Sequence, residues 1–481
     1  MSAKPFQKTK IVATVGPSCS TYDQLLELAQ TGVDVFRLNF SHGSHADHLD
    51  RIESITRINR EHNLYVGILA DLQGPKLRVG EMENGGIDIK KGDVLTFVQT
   101  PCVGNHERIY MSYEYFAKDV KPNERVMLDD GNVVLKVLDT NGTDTVRLEV
   151  EFGSKLKSKK GVNLPDTIVS QPSLTEKDIE DLNFLLTQPA INWIALSFVR
   201  KASDIDELRI RIKAASHPAK IIAKIEKPEA VADIEAIVAT TDAIMVARGD
   251  LGVEMPIERL PMIQKNMVSL CNQYAKPVIV ATQMMESMIE NPSPTRAETT
   301  DVANAVIDGA DAVMLSGETA AGKHPALVVE MMKRIVADVE ANSPVVYNRD
   351  HHPRRDSASW LSDSVCYYAH LTAAELDALT IIGMTVSGYT AFQVSSYRPK
   401  ADICIFSDRH SVLGMLSLVW GVRGFFYDSF ENASTDQTIQ DSHDILKKHG
   451  IIADGDIVVN TGAMPIESRL RTNMLRVSTV E

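Results

Sequence analysis

Lys224 and Glu226 lie two residues apart in the run KIIAKIE, so on an extended strand both side chains leave the same face. The next comparable run ends in Arg248-Gly249-Asp250, which brings a second carboxylate beside the first. Hard oxygen ligands on neighbouring strands suit Mg2+ or Mn2+, with water and substrate oxygens completing the shell. The alternative is an ion-pair network of the two acids with Lys224 and Arg248. A lysine at such a site can stabilise charge developing on an enolate or a phosphoryl group. It can equally form a Schiff base, which requires a lowered pKa, and the residues alone leave both roles open. Arg37 adds a bidentate donor for phosphate or carboxylate. Gly249-Asp250-Leu251-Gly252 reads as the start of a helix, whose backbone N–H groups can hold an anion. Together these residues point to metal-assisted chemistry on a small, doubly anionic substrate.

The elements that must position them are eight short apolar runs: 10–16, 33–40, 65–72, 193–199, 220–226, 243–249, 277–283 and 312–318. Their near-continuous apolar character suits parallel strands covered on both faces. Amphipathic helical stretches such as TYDQLLELAQTG and DIDELRIRIKAA separate them. The α/β pattern predicts a (β/α)8 TIM barrel, with function at the C-terminal strand ends. Polar residues stand there in Arg37, Asn39 and Ser41, then Asp71, Lys224 and Glu226, Arg248 and Asp250, Thr282 and Gln283, and Ser316 and Glu318.

About 120 residues interrupt the rhythm between Leu72 and Trp193. Alternating segments at 93–100, 124–140 and 144–152, with Asp-Asp-Gly and Asn-Gly turns, predict a small β-barrel inserted as a mobile lid over the mouth. The polar stretch 343–357, with His351, His352, Arg349, Arg354 and Arg355, reads as a solvated linker. A C-terminal α/β domain follows. The expected boundaries are 1–74 with 170–345 for the barrel, 75–169 for the lid and 346–481 for the last domain.

The 481 residues carry a net charge of −14, which argues against nucleic-acid or anionic-membrane partners. The 44 % hydrophobic content excludes disorder as the main state. Five scattered cysteines form no CxxC pair, and no apolar run has signal-peptide or membrane-spanning length. A soluble, cytoplasmic protein is the expectation. Gly317–Lys323 fits the P-loop spacing, but His324 replaces the required hydroxyl residue. His42, His45 and His48 read as a polar loop and helix start, and Thr295-Arg296-Ala297-Glu298 as a capping box.

The segments TKIVATVGPS, FRLNFSHGSHADH, ILADLQGPKLRVG, KKGVNLP, LTEKD, IIAKIEKPEAV, IMVARGDLGVE and ATQMMESMIENPSPTRAETTDVANAVIDGADAVMLSGETAAGKHP closely resemble the pyruvate kinase family, in order over nearly the whole chain. The resemblance implies phosphoryl transfer from phosphoenolpyruvate to ADP, giving pyruvate and ATP in the last step of glycolysis. It implies that Lys224 stabilises the moving phosphoryl group and the enolate oxygen, and that Glu226 and Asp250 hold Mg2+ or Mn2+. Gly249, Asp250 and Thr282 would hold the substrate carboxylate, Arg37 its phosphate, and Thr282 the face that is protonated. Asn39, Ser41, His42 and Arg78 would line the nucleotide side. A homotetramer is usual in the family.

Departures from the family pattern carry their own expectations. Members that need K+ hold it near the equivalents of Asn39, Ser41 and Asp71 and usually carry Glu where this chain has Lys76 in Leu72-Gln73-Gly74-Pro75-Lys76. The Lys76 ammonium is expected to supply that charge, so that K+ is not required. Thr385, Ser387, Gly388 and Thr390 form a strand-to-helix loop that resembles the family's effector-phosphate site, implying allosteric regulation by a phosphorylated small molecule. Tyr389 stands where a basic residue is common, and Glu467 lies in the adjoining loop, so a sugar monophosphate or a nucleotide is the expected ligand. Two other readings compete: a metal-dependent aldolase using the same Lys, Glu and Asp, and a catalytically silent metabolite sensor.

Overall fold

The computed structural model describes residues 6–349, 351–355, 357–428, 434–464 and 471–481. Eight parallel strands close into a barrel: Lys10–Thr14, Val35–Asn39, Gly67–Asp71, Trp193–Leu196, Lys220–Ile225, Ala243–Ala247, Val278–Ala281 and Ala312–Leu315. Their side chains are almost wholly buried, one set against the surrounding helices and the other inside the cylinder. This is why the strand sequences are apolar throughout rather than alternating. Capping boxes at Thr21, Ser44, Thr175 and Thr295 fix where four of the outer helices begin. Among the described residues no helix is long and apolar enough to cross a membrane.

The insert after the third strand forms a six-stranded sheet, a half-barrel, with a separate two-stranded ribbon. Leu95, Phe97, Phe116, Val126, Leu135 and Leu148 give it an apolar core of its own. The chain leaves the barrel through Gly74, whose φ of +67° and closeness to Phe198 leave no room for a Cβ. Asp178 accepts the Gly74 N–H at 3.0 Å. On the return path, Arg200 donates to the carbonyls of Val169 and Gln171.

The C-terminal domain is a five-stranded sheet in the order Val422–Phe426, Asp402–Ser407, Thr380–Met384, Ile457–Gly462 and Met474–Thr479, with the last strand antiparallel. It caps the N-terminal end of the barrel. Val12, Leu69, Trp193 and Ile222 inside the cylinder belong to one apolar cluster with Cys366, Ile403 and Leu416 of this domain. The Trp193 indole N–H donates to the Met415 carbonyl at 3.1 Å, and Lys10 to that of Val422 at 2.9 Å. A Cβ on Gly67 would stand 2.6 Å from the Gly414 carbonyl, so the two backbones meet directly.

The described residues of 343–357 are mostly exposed or half-buried, as a solvated linker should be, but the stretch is anchored at three points. Arg349 donates to the Ile307 carbonyl, His351 stacks on Tyr397 at 4.5 Å, and Arg354 lies over the Tyr274 ring at 4.9 Å. These planar and long side chains lie against rings and carbonyls of both domains, and Arg349 Nε is buried without a hydrogen-bond partner among the described residues.

Candidate active site

Five consecutive barrel strands each contribute to one polar chain across the mouth. Thr14, from the first, accepts a hydrogen bond from Arg37 Nη1 at 3.0 Å. Arg37, on the second, grips Oδ2 of Asp71 through Nε at 2.7 Å and Nη2 at 2.6 Å. Asp71 ends the third strand, and its Oδ1 lies 3.2 Å from Lys224 Nζ. Ser197, just past the fourth, accepts from Lys224 at 2.7 Å and donates to the Leu72 carbonyl at 2.7 Å. Lys224, on the fifth, pairs with Glu226 Oε1 at 3.0 Å, so the two-residue spacing does bring amine and carboxylate together. The Phe198 N–H donates to Glu226 Oε2 at 2.7 Å from a backbone at φ +53°, an unfavourable conformation for an aromatic residue.

Burial alone would raise the Asp71 pKa, but the Lys224 and Arg37 charges outweigh it and hold the carboxyl below its usual range. Burial would likewise strip the Lys224 proton, yet Asp71 and Glu226 keep it an ammonium well above the normal lysine value. A neutral Schiff-base amine is therefore the opposite of what these surroundings favour. Glu226 goes the other way from Asp71. Burial raises it, and the like charge of Asp250 adds to that, more than Lys224 offsets. Two cations thus face three carboxylates, and the uncompensated charge lies between Glu226 and Asp250.

No cluster of three potential metal ligands occurs among the described residues. The donor set is two carboxylates, Glu226 pushed up first by burial and then by the like charge of Asp250. That is the local charge a divalent cation neutralises, and two protein carboxylates with open positions suit Mg2+ or Mn2+.

Arg248 does not join this network, contrary to the ion-pair alternative. Its guanidinium reaches Asp301 at 2.7 Å and the carbonyls of Thr282 at 2.6 Å and Ala281 at 3.2 Å, tying the sixth strand to the seventh. It follows Ala247, whose strand runs beside that ending in Ala281, so those carbonyls are its nearest acceptors. The Gly249 N–H donates to Thr282 Oγ1 at 2.7 Å, and Thr282 donates to the Ala281 carbonyl at 2.6 Å. Thr282 and Gln283 both hold positive φ, at +70° and +55°. Asp250 lies in the short helix Arg248–Glu254 and is half-buried.

The other candidates are more scattered. Asn39 Oδ1 accepts the Ser41 N–H at 3.1 Å, while His42 is exposed. Arg78 is in the lid and donates to the Lys159 carbonyl at 3.0 Å. Lys76 is exposed and lines a cleft between lid and barrel with Asp130, Asp250 and Glu254. His45 pairs with Asp181 at 2.7 Å, and His48 stacks on Phe40 at 4.0 Å. Lys323 of the P-loop look-alike pairs with Glu290 at 2.5 Å. In the C-terminal domain, Thr385 Oγ1 accepts the Gly388 N–H at 2.9 Å, the Thr390 and Thr472 hydroxyls share a hydrogen bond of 2.6 Å, and Ser387 is exposed. Glu467 lies outside the described residues.

Sequence reasoning missed Thr14 and Ser197. The signal was present, since both are polar residues at the C-terminal ends of barrel strands, the rule that found Arg37 and Asp71.

Comparison with known proteins gives the family that the chain is similar to. The profile for the pyruvate kinase barrel domain matches residues 6–329, and that for the pyruvate kinase alpha/beta domain residues 363–478. A pyruvate kinase from Geobacillus stearothermophilus is 42% identical over 481 residues, 98% of this chain and 80% of that protein. One from Corynebacterium efficiens is 41% identical over 98% of this chain and 97% of its own length. The crystal structure of a pyruvate kinase from Cryptosporidium parvum superposes with a TM-score of 0.90 at 34% identity, covering 99% of this chain and 96% of that one.

Proposed function

This chain belongs to the pyruvate kinase family of enzymes, and we propose that it transfers the phosphoryl group of phosphoenolpyruvate to ADP, forming pyruvate and ATP. The observation that carries this reading is the Lys224 ammonium fixed between Asp71 and Glu226, with Asp250 beside them. A permanently charged, water-poor donor is what an in-line phosphoryl transfer needs where negative charge moves. Arg37 takes the substrate phosphate, and Lys224 meets the bridging oxygen as the enolate forms. The substrate carboxylate lies against Gly249, Asp250 and Thr282, and Thr282 positions a water for protonation. Asn39, Ser41, His42 and, from the lid, Arg78 hold the nucleotide phosphates. Glu226 and Asp250 would hold Mg2+ or Mn2+, which supplies charge neutralisation at the phosphate and enolate oxygens when bound. Lid closure excludes the water that would compete with ADP. A lactate-dehydrogenase-coupled assay tests the reading: pyruvate must form from phosphoenolpyruvate only when ADP is present. ADP-independent turnover would favour the aldolase alternative and sink this one.

Three finer readings follow the family pattern. Lys76 replaces K+, supported by its place in the cleft with Asp130 and Asp250. Activity should then be full in K+-free buffer, and Lys76→Glu should create a K+ requirement. The loop of Thr385, Ser387, Gly388 and Thr390 takes an effector phosphate. It is supported by Gly388, at φ +85°, opening the helix Tyr389–Ser396 without a side-chain cap. Titrating AMP and sugar phosphates against the phosphoenolpyruvate saturation curve tests it. A homotetramer, checked by light scattering, completes the reading.

A further inference from the structure

One buried contact ties the lid to the helix that carries Asp250. Asn163 is in the lid strand Val162–Asn163 and is 9% exposed. Its Nδ2 donates to Glu254 Oε1 at 2.9 Å, and Lys227 Nζ donates to the same oxygen at 2.8 Å. Glu254 is 3% exposed, and its Oε2 is buried without a hydrogen-bond partner among the described residues. The charge on this carboxylate is therefore satisfied through one oxygen by two donors, one from each domain. A hydrogen bond to an ionised group with so little alternative solvation is stronger than an ordinary one.

The position of the triad matters as much as its strength. Glu254 stands one helical turn after Asp250 in the helix Arg248–Glu254, and Lys227 directly follows Glu226. Arg200 holds the returning chain at Val169 and Gln171, so Asn163 grips the lid beyond that pivot. Resting on the phosphotransfer reading above, we propose that Asn163, Glu254 and Lys227 form a latch. Asn163 is a positioning residue that couples lid closure to the placement of the Asp250 helix. The lid and the two carboxylates then settle as one mechanical unit. The nucleotide, held between lid and barrel, feels the latch from both sides, whereas phosphoenolpyruvate feels it only through Gly249 and Asp250 of the latched helix.

The test uses the full chain with Asn163→Ala and Asn163→Asp, the second setting like charges against each other at Glu254. Hydrogen–deuterium exchange should quicken about tenfold over 162–164 and 125–128, while the barrel strand 220–225 is unchanged. The KM for ADP should rise roughly tenfold, with a smaller rise of about threefold in that for phosphoenolpyruvate, whose carboxylate lies against the latched helix. Unchanged exchange in both variants overturns the latch. Faster exchange with an unmoved ADP KM leaves a structural tie only and overturns the positioning role. Exchange is read without turnover, so a wild-type chain inactive toward phosphoenolpyruvate would sink the phosphotransfer reading and not the latch.

Discussion

The two ends of the barrel both bury charge, and they do so in opposite ways. At the closed end, Arg398 is 1% exposed and donates at 2.8 Å to Asn272 Oδ1, the Gly309 carbonyl and Asp311 Oδ2. Asp311 also accepts the backbone N–H groups of Val278 at 3.1 Å and Trp420 at 3.2 Å. Glu340 likewise accepts the N–H groups of Lys8 at 2.9 Å and Thr9 at 2.6 Å. Each carboxylate is occupied by fixed protein donors, so nothing is left for a ligand. At the open end the alternating chain from Arg37 to Glu226 runs out beside Asp250, with one carboxylate too many. A network whose carboxylates are all occupied welds domains together, even with Arg398 Nε buried without a hydrogen-bond partner among the described residues. An unbalanced one of the same residue types leaves like charges side by side, which a bound cation would offset.

The sharpest way to break this contrast is Lys224→Met. Removing the donor aimed at the developing charge should cost about 10²- to 10³-fold in kcat in the coupled assay. A loss below tenfold would erase the distinction between the two ends. Arg398→Met should do the reverse. Asp311 is left buried and unpaired, costing about 3–5 kcal/mol in denaturant unfolding, with turnover per folded molecule unchanged.

Acid should also separate the ends. Burial lowers His370 from 6.5 to about 4, in a helix of the capping domain where its ring stacks near Tyr397 at 5.6 Å. The unfolded chain takes a proton as pH falls through 6.5 while the folded one does not. Stability is therefore full above that value and declines by roughly 3 kcal/mol by pH 4. His370→Gln should flatten this part of the pH–stability curve. The smallest effect is expected from Ser197→Ala, which removes one hydroxyl acceptor from Lys224 and should lower kcat/KM about fivefold, near 1 kcal/mol.

The open end was much the more legible of the two from the amino-acid order. Strand periodicity placed Arg37, Asp71, Lys224 and Glu226 at one rim because a strand buried on both faces has few reasons to carry charge. Thr14 and Ser197 escaped notice because small hydroxyl residues are ordinary in strands, and only the fold shows what they face. Arg248 was misjudged since alternation gives the side of a strand, not which acceptor the guanidinium finds. The closed end was nearly invisible. Arg398 meets Asp311 and Asn272 across 87 and 126 residues of chain, and no local pattern announces such a pairing. The same holds for His351, whose polar character suggested full exposure but whose ring stacks on Tyr397 at 4.5 Å.

The apolar cluster that runs from Val12 and Trp193 in the cylinder to Ile403 and Leu416 beyond it has a corollary for stability. A catalytic unit whose floor is built by another domain is not a free-standing cassette. A barrel separated from that base would expose indole and branched aliphatic surface to water, so its stability is expected to depend on the C-terminal domain.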